Sequence, residues 1–441
     1  LVLLGFVGPL LLLTIMVLFG WRGFERAKQE SEDVVTQRAL EKNRFAAKAV
    51  AGKAAGVIAR YFRVVQLASR DDELLQIVAE ATAADSSLAP YRAMFLNANE
   101  NREFIEERSA FRESPDRQRL QRKIEALSDE TPDAASWFFV DHTGVQLASY
   151  FGSDQVQQTI GQNYSWRTYF HGGPDDLVER TADGVATHYL KPDDAISNTH
   201  VSAPFQSKAT YKWKVAVSQP VFIDEKFVGV IALTVDIGNF LRFNEGVGTF
   251  FASLVDGRTG GSYGMVLQHQ MFETWVDTRD RIPDQLLQVR APLDAFENNM
   301  AKFYRDPLWD LTSKQEGKRN SPGVFLAATA TVMIDNEDTD DDFIDTGLVV
   351  IVQESFAAAT LPVDQLGHRL LFEGGLALSF LLIVVMVLWG VVLRVLRDPE
   401  NDSIRRGRSR TETSRSSHDA STLPAPLNRD RPRSRRFDRP T

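Results

Sequence analysis

Two stretches of the chain carry no charge at all: Leu1 to Trp21 and Gly374 to Leu393. At about 1.5 Å of rise per residue, either is long enough as a helix to cross a hydrocarbon layer of roughly 30 Å. The first lacks the basic start, short apolar run and small-residue cleavage site of a secretory signal, so it reads as a membrane span. The second closes on Trp389 and then Arg394 and Arg397, an interfacial ring followed by cations. The chain starts on Leu rather than Met, which leads us to expect residues before it. Roughly 350 residues separate the two runs, room for two domains.

From Arg22 to about Ala84 there is no proline, and Ala, Glu, Lys, Arg and Gln dominate, which predicts one or two long helices. Val50, Ala54, Val57, Tyr61, Val64 and Ala68 alternate spacings of four and three, a heptad seam. Such a seam serves a second copy of the helix or the helix's own domain, and the pattern does not choose. Arg92 to Leu127 continues as charged helix broken near Pro115. At Trp137 the period changes: Trp137 to Val140 and Val145 to Ala148 read as strands joined by a turn at Asp141 to Gly144. A helix follows, then strands at His200 to Phe205, Lys212 to Phe222 and Phe227 to Ile237, the last two a hairpin through Ile223 to Lys226. This order is that of a small antiparallel α+β sheet. The theme returns after Phe240, with strands at Phe251 to Val255, Gly264 to Gln268, Val324 to Ile334 and Thr346 to Gln353. A helix from Glu354 to Phe372 leads back towards the second span.

Composition narrows the classes. The 441 residues include no cysteine, so disulfides and thiolate metal sites are excluded, and 43% hydrophobic content supports ordinary cores. The net charge of -9 is uneven. From Arg394 onward 13 Arg stand against 7 acids, whereas the body carries 37 Lys+Arg against 52 Asp+Glu. An acidic body argues against nucleic acid as a partner. The Arg-rich, Ser- and Pro-rich tail reads as disordered and as a cytoplasmic retention signal, which puts the large acidic segment outside the cell. Arg22, Arg26 and Lys28 compete with that orientation but are diluted by Glu25 and Glu30.

Candidate chemistry gathers at Gln162 to Phe170. On a helix Trp166, Tyr169 and Phe170 share one face, with Arg167 framed by rings. An Arg fork suits a carboxylate, and flanking rings exclude water from the contact. The simpler reading is a core helix whose Arg snorkels to solvent. Asp236 stands on an otherwise apolar strand and must be paired there, by a structural partner or by a ligand. Gly260 to Gly264 spells G-x-S-x-G around Ser262, yet it sits between two strands where a hydrolase needs a strand and a helix. The acidic run Asp335 to Asp345 has Phe343 where a calcium loop needs Gly, and reads as a solvated hairpin tip. His142, His171, His188, His200 and His269 show no i, i+4 pairing. Neither metal nor cofactor is expected.

Together these residues resemble the double Cache sensor domains of bacterial receptors over roughly Arg22 to Phe372. The resemblance rests on Tyr164 to Gly172, on HVSAPFQS with WKVAVSQPVF, on FVGVIALTVDIGNF and on DTGLVVIVQESF. SWRTYFHG and the path from VQESF into the second span look more narrowly like the sensor halves of planctomycete-type serine/threonine kinases, in which the kinase precedes the first span. No kinase phosphate loop or catalytic His-Arg-Asp stretch lies in this chain. The resemblance implies an α+β fold of two tandem PAS-like modules with antiparallel sheets and a long N-terminal helix, flanked by two transmembrane helices. Its expected divisions are spans at 1–21 and 374–393, a helical stalk at 22–84, a membrane-distal module at 85–245, a membrane-proximal module at 246–372 and a cytoplasmic tail at 394–441. In amino-acid-binding members an Arg and following rings hold the ligand carboxylate, a role that falls here on Arg167, Tyr169 and Phe170, with Trp166 alongside. The strand Asp that holds the ammonium is Asp236. Phe205 and Ser207 stand where that family places a Tyr and an Asp, and Tyr164 lies closer to the Arg than the family's Tyr, whose place Gln162 takes. The carboxylate clamp is kept and the ammonium cage thinned, which widens the expected ligands to small carboxylates as well as amino acids. A homodimer through the stalk helix is a possible further partner. The competing readings are a ligand-free membrane scaffold and a serine hydrolase using Ser262.

Overall fold

The computed structural model describes residues 2–96, 105–151, 159–177, 194–242, 250–279, 281–309, 311, 323–335 and 343–397. One helix, α1 (Val2–Ser69), carries two antiparallel sheets. Its seam is settled by packing: Ala47, Val50, Ala51, Ala54, Ile58, Tyr61, Phe62, Val65 and Ala68 are buried in the common core with residues of both sheets. Val50, Ala54, Tyr61 and Ala68 of the heptad are therefore consumed within their own chain. Asn43, fully buried on the same helix, donates to the carbonyl of Leu326 at 2.8 Å. The expected stalk thus lies against the sheets along much of its length.

After α1 come α2 (Asp72–Thr82), α3 (Ala89–Leu96), α4 (Ile105–Glu113) and α5 (Pro115–Asp129). Asp71 caps α2 by accepting from the amide of Leu74 at 2.7 Å. Pro115 starts α5 at the first helical position, where its missing N–H is not needed, so the expected break falls between two helices.

The first sheet comprises β1 (Ser136–Asp141), β2 (Gln146–Tyr150), β3 (His200–Val201), β4 (Phe205–Gln206), β5 (Trp213–Ile223) and β6 (Lys226–Asp236). Its order is β2-β1-β6-β5-β3, with β4 also on β5. Asp224 and Glu225 both take positive φ in the two-residue turn between β5 and β6, the backbone that matches strand twist in a tight hairpin. Side chains alternate between faces. Trp137, Phe139, Ile231, Leu233 and Val235 join the core with α1, while Phe138, Val140, Val230 and Ala232 face a second cluster on the far side. Burial on both faces explains the unbroken apolar runs of β1 and β6.

The second sheet repeats the plan with β7 (Phe251–Asp256), β8 (Val266–His269), β9 (Met300–Tyr304), β10 (Phe325–Asp335) and β11 (Phe343–Ser355), in the order β8-β7-β11-β10-β9. Strand β9 and the helices α7 (Gln270–Arg279) and α8 (Asp284–Leu287) have no counterpart in the sequence reading. In both sheets the first strand ends on a fully buried Asp that closes the following turn. Asp141 accepts from the amides of Thr143 (2.9 Å) and Val145 (3.0 Å) and pairs with buried Arg92 at 2.5 Å. Asp256 accepts from the amide of Arg258 (3.0 Å), its guanidinium (2.7 Å) and Ser262 (2.9 Å). The G-x-S-x-G stretch is thus a turn between β7 and β8, and the Ser262 hydroxyl is committed to Asp256.

Residues 1–367 form one compact unit and 368–441 another. Strand β11 runs directly into α9 (Phe356–Arg397). Among the described residues one helix, Phe356–Arg394, is long and apolar enough to cross a membrane, and none of its most apolar window is buried. The stretch Leu1 to Trp21 is helical from Val2 on, but most of its first ten side chains lie outside the described residues. So do 336–342 of the acidic loop, His188 and the tail beyond 397.

Removing one partner of a buried ion pair leaves an uncompensated charge. Asp141→Ala is therefore expected to lower unfolding stability by about 3–5 kcal/mol in denaturant titrations; a loss under about 1 kcal/mol would contradict the structural role given to the Asp141–Arg92 pair.

Candidate functional site

The residues expected to form a ligand clamp converge on the face of the first sheet turned away from α1. They do not do so as a helix. Gly161 and Gly144 take positive φ, Asn163 accepts from the amide of Ser165 at 2.8 Å, and Tyr164 donates its amide to Gly144 at 2.8 Å. A side chain on Gly144 would meet Ser165 at 2.6 Å, so this close approach requires glycine. The chain thus descends as a turn, with Arg167 extended (φ -82°, ψ 144°), into the single-turn α6 (Thr168–His171), which stops at left-handed Gly172. Local side-chain bonds to the backbone outcompete the long helix that the ring spacing predicts.

Arg167 is 7% exposed, with its guanidinium 4.1 Å from the ring centre of Trp166 and 4.9 Å from that of Phe205. Nη1 donates to Asp176 at 2.6 Å and Nη2 to the carbonyl of Gln206 at 3.0 Å. Its Nε–H is buried and has no partner among the described residues. The snorkelling alternative fails, because the cation is enclosed. Sandwiching between rings in a dry site contributes up to about 2 kcal/mol.

Beside Arg167 lies a cavity of about 30 Å³. That is room for about two waters. Tyr164, Arg167, Tyr169, Phe205 and Ser207 all line it. Tyr169 packs between Phe138 (4.9 Å) and Phe205 (5.5 Å), and its burial pushes the phenol well above its usual range, so it keeps its proton and can donate. Tyr164 donates to Gln162 at 2.9 Å, and Ser207 also accepts from the amides of Ala209 and Thr210, shaping the turn before β5. Trp166 backs the guanidinium. Phe170 does not line the cavity; it is fully buried against Phe227 at 6.1 Å. Asp236 does not line it either and faces the neighbouring cleft with Tyr211 and Arg281. It is paired with two lysines, Lys214 (3.3 Å) and Lys212 (3.9 Å).

Three residues that matter here were not singled out from the sequence: Asp176, Lys208 and Lys214. Lys214, 2% exposed, lines the cavity and stands directly opposite Asp236 across the β5–β6 ladder. Asp176 also accepts from the amide of Thr168 at 3.0 Å, and so ties the loop after α6 to both Arg167 and the start of that helix. Its neighbour Asp175 accepts from the amide of Gly261, in the β7–β8 turn, at 2.6 Å. Arg258 of the same turn donates to the carbonyls of Val201 (2.5 Å) and Ser202 (2.9 Å) at β3. The two sheets are therefore stitched together through the loop after α6, β3 and the β7–β8 turn.

The residue preceding Val201 titrates with folding. Burial, then Arg258 and His171, lower the pKa of His200 from 6.5 to about 4. Between those values the unfolded chain binds a proton that the folded chain does not, so stability falls as pH drops from about 6.5 to about 4. His200→Gln is expected to flatten that part of the stability–pH curve; an unchanged slope would show that another group causes it.

A scan of family models finds no match to this chain, and a search of curated proteins finds none. Solved structures do overlay on it. The sensor domain of the Vibrio cholerae histidine kinase DctB matches at 12% identity and a TM-score of 0.36, covering 76% of this chain and 98% of that one. The sensory domain of the Campylobacter jejuni chemoreceptor Tlp3 with isoleucine bound matches at 10% and 0.37, covering 74% and 95%. The ligand-binding domain of the Pseudomonas aeruginosa chemoreceptor PctC with GABA matches at 12% and 0.34, covering 70% and 97%. The chain's own architecture, a long N-terminal helix carrying two antiparallel sheets of matching strand order, is the one that the resemblance to double Cache domains implies.

Proposed function

We propose that this chain is the extracytoplasmic sensor of a membrane receptor and that it binds a small carboxylate or amino-acid-like ligand at Arg167. The observation that carries this reading is the buried guanidinium itself: a cation enclosed by two rings, with an Nε–H that has no partner among the described residues, beside a cavity. A buried donor without a partner calls for an explanation, and a bound anion supplies one. The ligand carboxylate engages Nε and competes with Asp176 for the fork, since both are anions seeking one cation.

Signalling follows from the adjacency of Asp176 and Asp175. Release of Asp176 from Arg167 frees the loop that Asp175 pins to Gly261, and so shifts the β7–β8 turn. Strand β7 pairs with β11, which continues into α9, and α1 meets the start of α9 through Lys28–Asp364 at 3.1 Å. We assign both Leu1 to Trp21 and Gly374 to Leu393 as spans of the bacterial inner membrane, with the tail cytoplasmic and a serine/threonine kinase as the output. Any homodimer through α1 uses faces other than the buried seam. The hydrolase reading has lost its nucleophile to Asp256, and the ligand-free scaffold is the reading that a binding screen excludes.

Full-length protein in nanodiscs, screened by thermal shift against short carboxylates and amino acids, is expected to gain near 2.7 kcal/mol at about a hundred dissociation constants of a true ligand. Arg167→Ala should abolish the shift while keeping the circular dichroism of the parent. Undiminished binding by Arg167→Ala, or no shift by any compound, contradicts the proposal.

A further inference from the structure

We infer that the second sheet carries a carboxylate site of its own, at the position the Arg167 cavity holds on the first, and that the chain fills it with the side chain of Asp306. The inference is independent of what binds at Arg167.

Strand register gives the equivalence. Asp141 and Asp256 end the first strand of each sheet, and the following pairing is interrupted at the same place in both: between Phe139 and Val140 in β1, and between Leu254 and Val255 in β7. Counted back from those aspartates, Ser136 corresponds to Phe251 and Phe138 to Ser253. Their partners correspond as well. Thr234, opposite Ser136, matches Gln353, opposite Phe251; Ser149, opposite Phe138, matches His269, opposite Ser253. Ser136, Phe138 and Thr234 line the Arg167 cavity. Residues two apart on a strand share a face, so Gln353 and His269 stand on the corresponding face of the second sheet.

Both side chains reach the same oxygen of Asp306, which is 3% exposed and belongs to the segment after β9. His269 Nε2 lies 3.1 Å from that oxygen, and the amide of Met271 donates to His269 Nδ1 at 3.1 Å, so the ring proton is on Nε2 and is given to Asp306. The other oxygen accepts from the amides of Leu308 (2.9 Å) and Trp309 (3.3 Å). Two donors from the sheet and two from the returning backbone replace the water that a buried carboxylate gives up. Trp309 packs against Phe251 at 5.5 Å and so covers the position equivalent to Ser136. Gln353 also sits just before Phe356, where β11 gives way to α9, so a filled site holds the root of that helix. Tethering makes its occupancy independent of what the surroundings contain.

The test removes the tethered group and supplies it free. The full chain is studied in nanodiscs with Arg167→Ala in every sample, so that the first site does not report, and Asp306→Gly deletes a group of the shape of acetate. Calorimetric titration should show acetate bound about tenfold or more tightly by Asp306→Gly than by its Asp306 parent, and adding Gln353→Leu should take about tenfold back, the contribution of one hydrogen bond to a charged group. The chain has no cysteine, so spin labels at Val34→Cys and Leu361→Cys, both exposed positions, report the distance from α1 to α9. That distance should change in Asp306→Gly and return to the parent value with acetate but not with acetamide. If Asp306→Gly does not fold alone, its refolding yield in acetate against acetamide makes the same comparison. A folded Asp306→Gly that gains no acetate binding, a gain that Gln353→Leu leaves intact, a label distance that ignores acetate, or equal refolding in acetate and acetamide overturns the inference. Because every sample lacks Arg167, each of these results leaves the sensor reading intact.

Discussion

A guanidinium has been taken out of water at Arg167, and the loops on the far face of the first sheet are arranged around the consequences. A buried cation needs a carboxylate, further hydrogen bonds and a dry wall to be tolerated. Asp176 gives the first, the Gln206 carbonyl part of the second, and Trp166 with Phe205 the third. The four partners come from three segments, so satisfying Arg167 fixes the turn after Gly161, the loop after α6 and strand β4 together. One donor, Nε–H, has no partner among the described residues. In the function proposed above, a ligand anion completes the site.

The second sheet makes the comparison instructive. It has the same strand order and the same Asp-closed turn after its first strand. Its buried acid Asp306 is served entirely from within, by His269 at 3.1 Å, Gln353 and the amides of Leu308 and Trp309. Burial alone would raise that carboxyl; His269, Gln353 and the backbone outweigh it and hold the pKa below the usual value. One plan is thus used in two ways: the first sheet holds the enclosed Arg167 beside a cavity, and the second contacts it through Gly261 and Arg258 in the turn after β7, which pairs with the strand that continues into α9.

Much of the fold was legible because its signals are local. The change from helical period to strands at Trp137, the two-residue hairpin at Asp224 and Glu225 and the proline at the start of α5 each encode their own structure. The site was legible in part. Arg167 and its rings stand out by composition, but their spacing suggested a helix that Asn163 and the glycines convert into a turn. Phe170 shares that spacing and was drawn to the site by it, although it packs into the core against Phe227. Lys214 was hidden for a sharper reason. Counted back from the hairpin turn it falls opposite Val235, and only the irregularity at Val221/Phe222 shifts the register by one and brings it to Asp236. Asp176 could not be read at all, since its partner is fixed by how a loop returns.

The account stands on Arg167 exchanging an internal carboxylate for an external one. The most direct measurement is an experimental structure of the full chain determined with propionate at saturating concentration. The account predicts a propionate oxygen within hydrogen-bond distance of Arg167 Nε, with the Asp176 contact lengthened or broken. Propionate bound elsewhere, with the Arg167–Asp176 pair intact and Nε still without an acceptor, would contradict it.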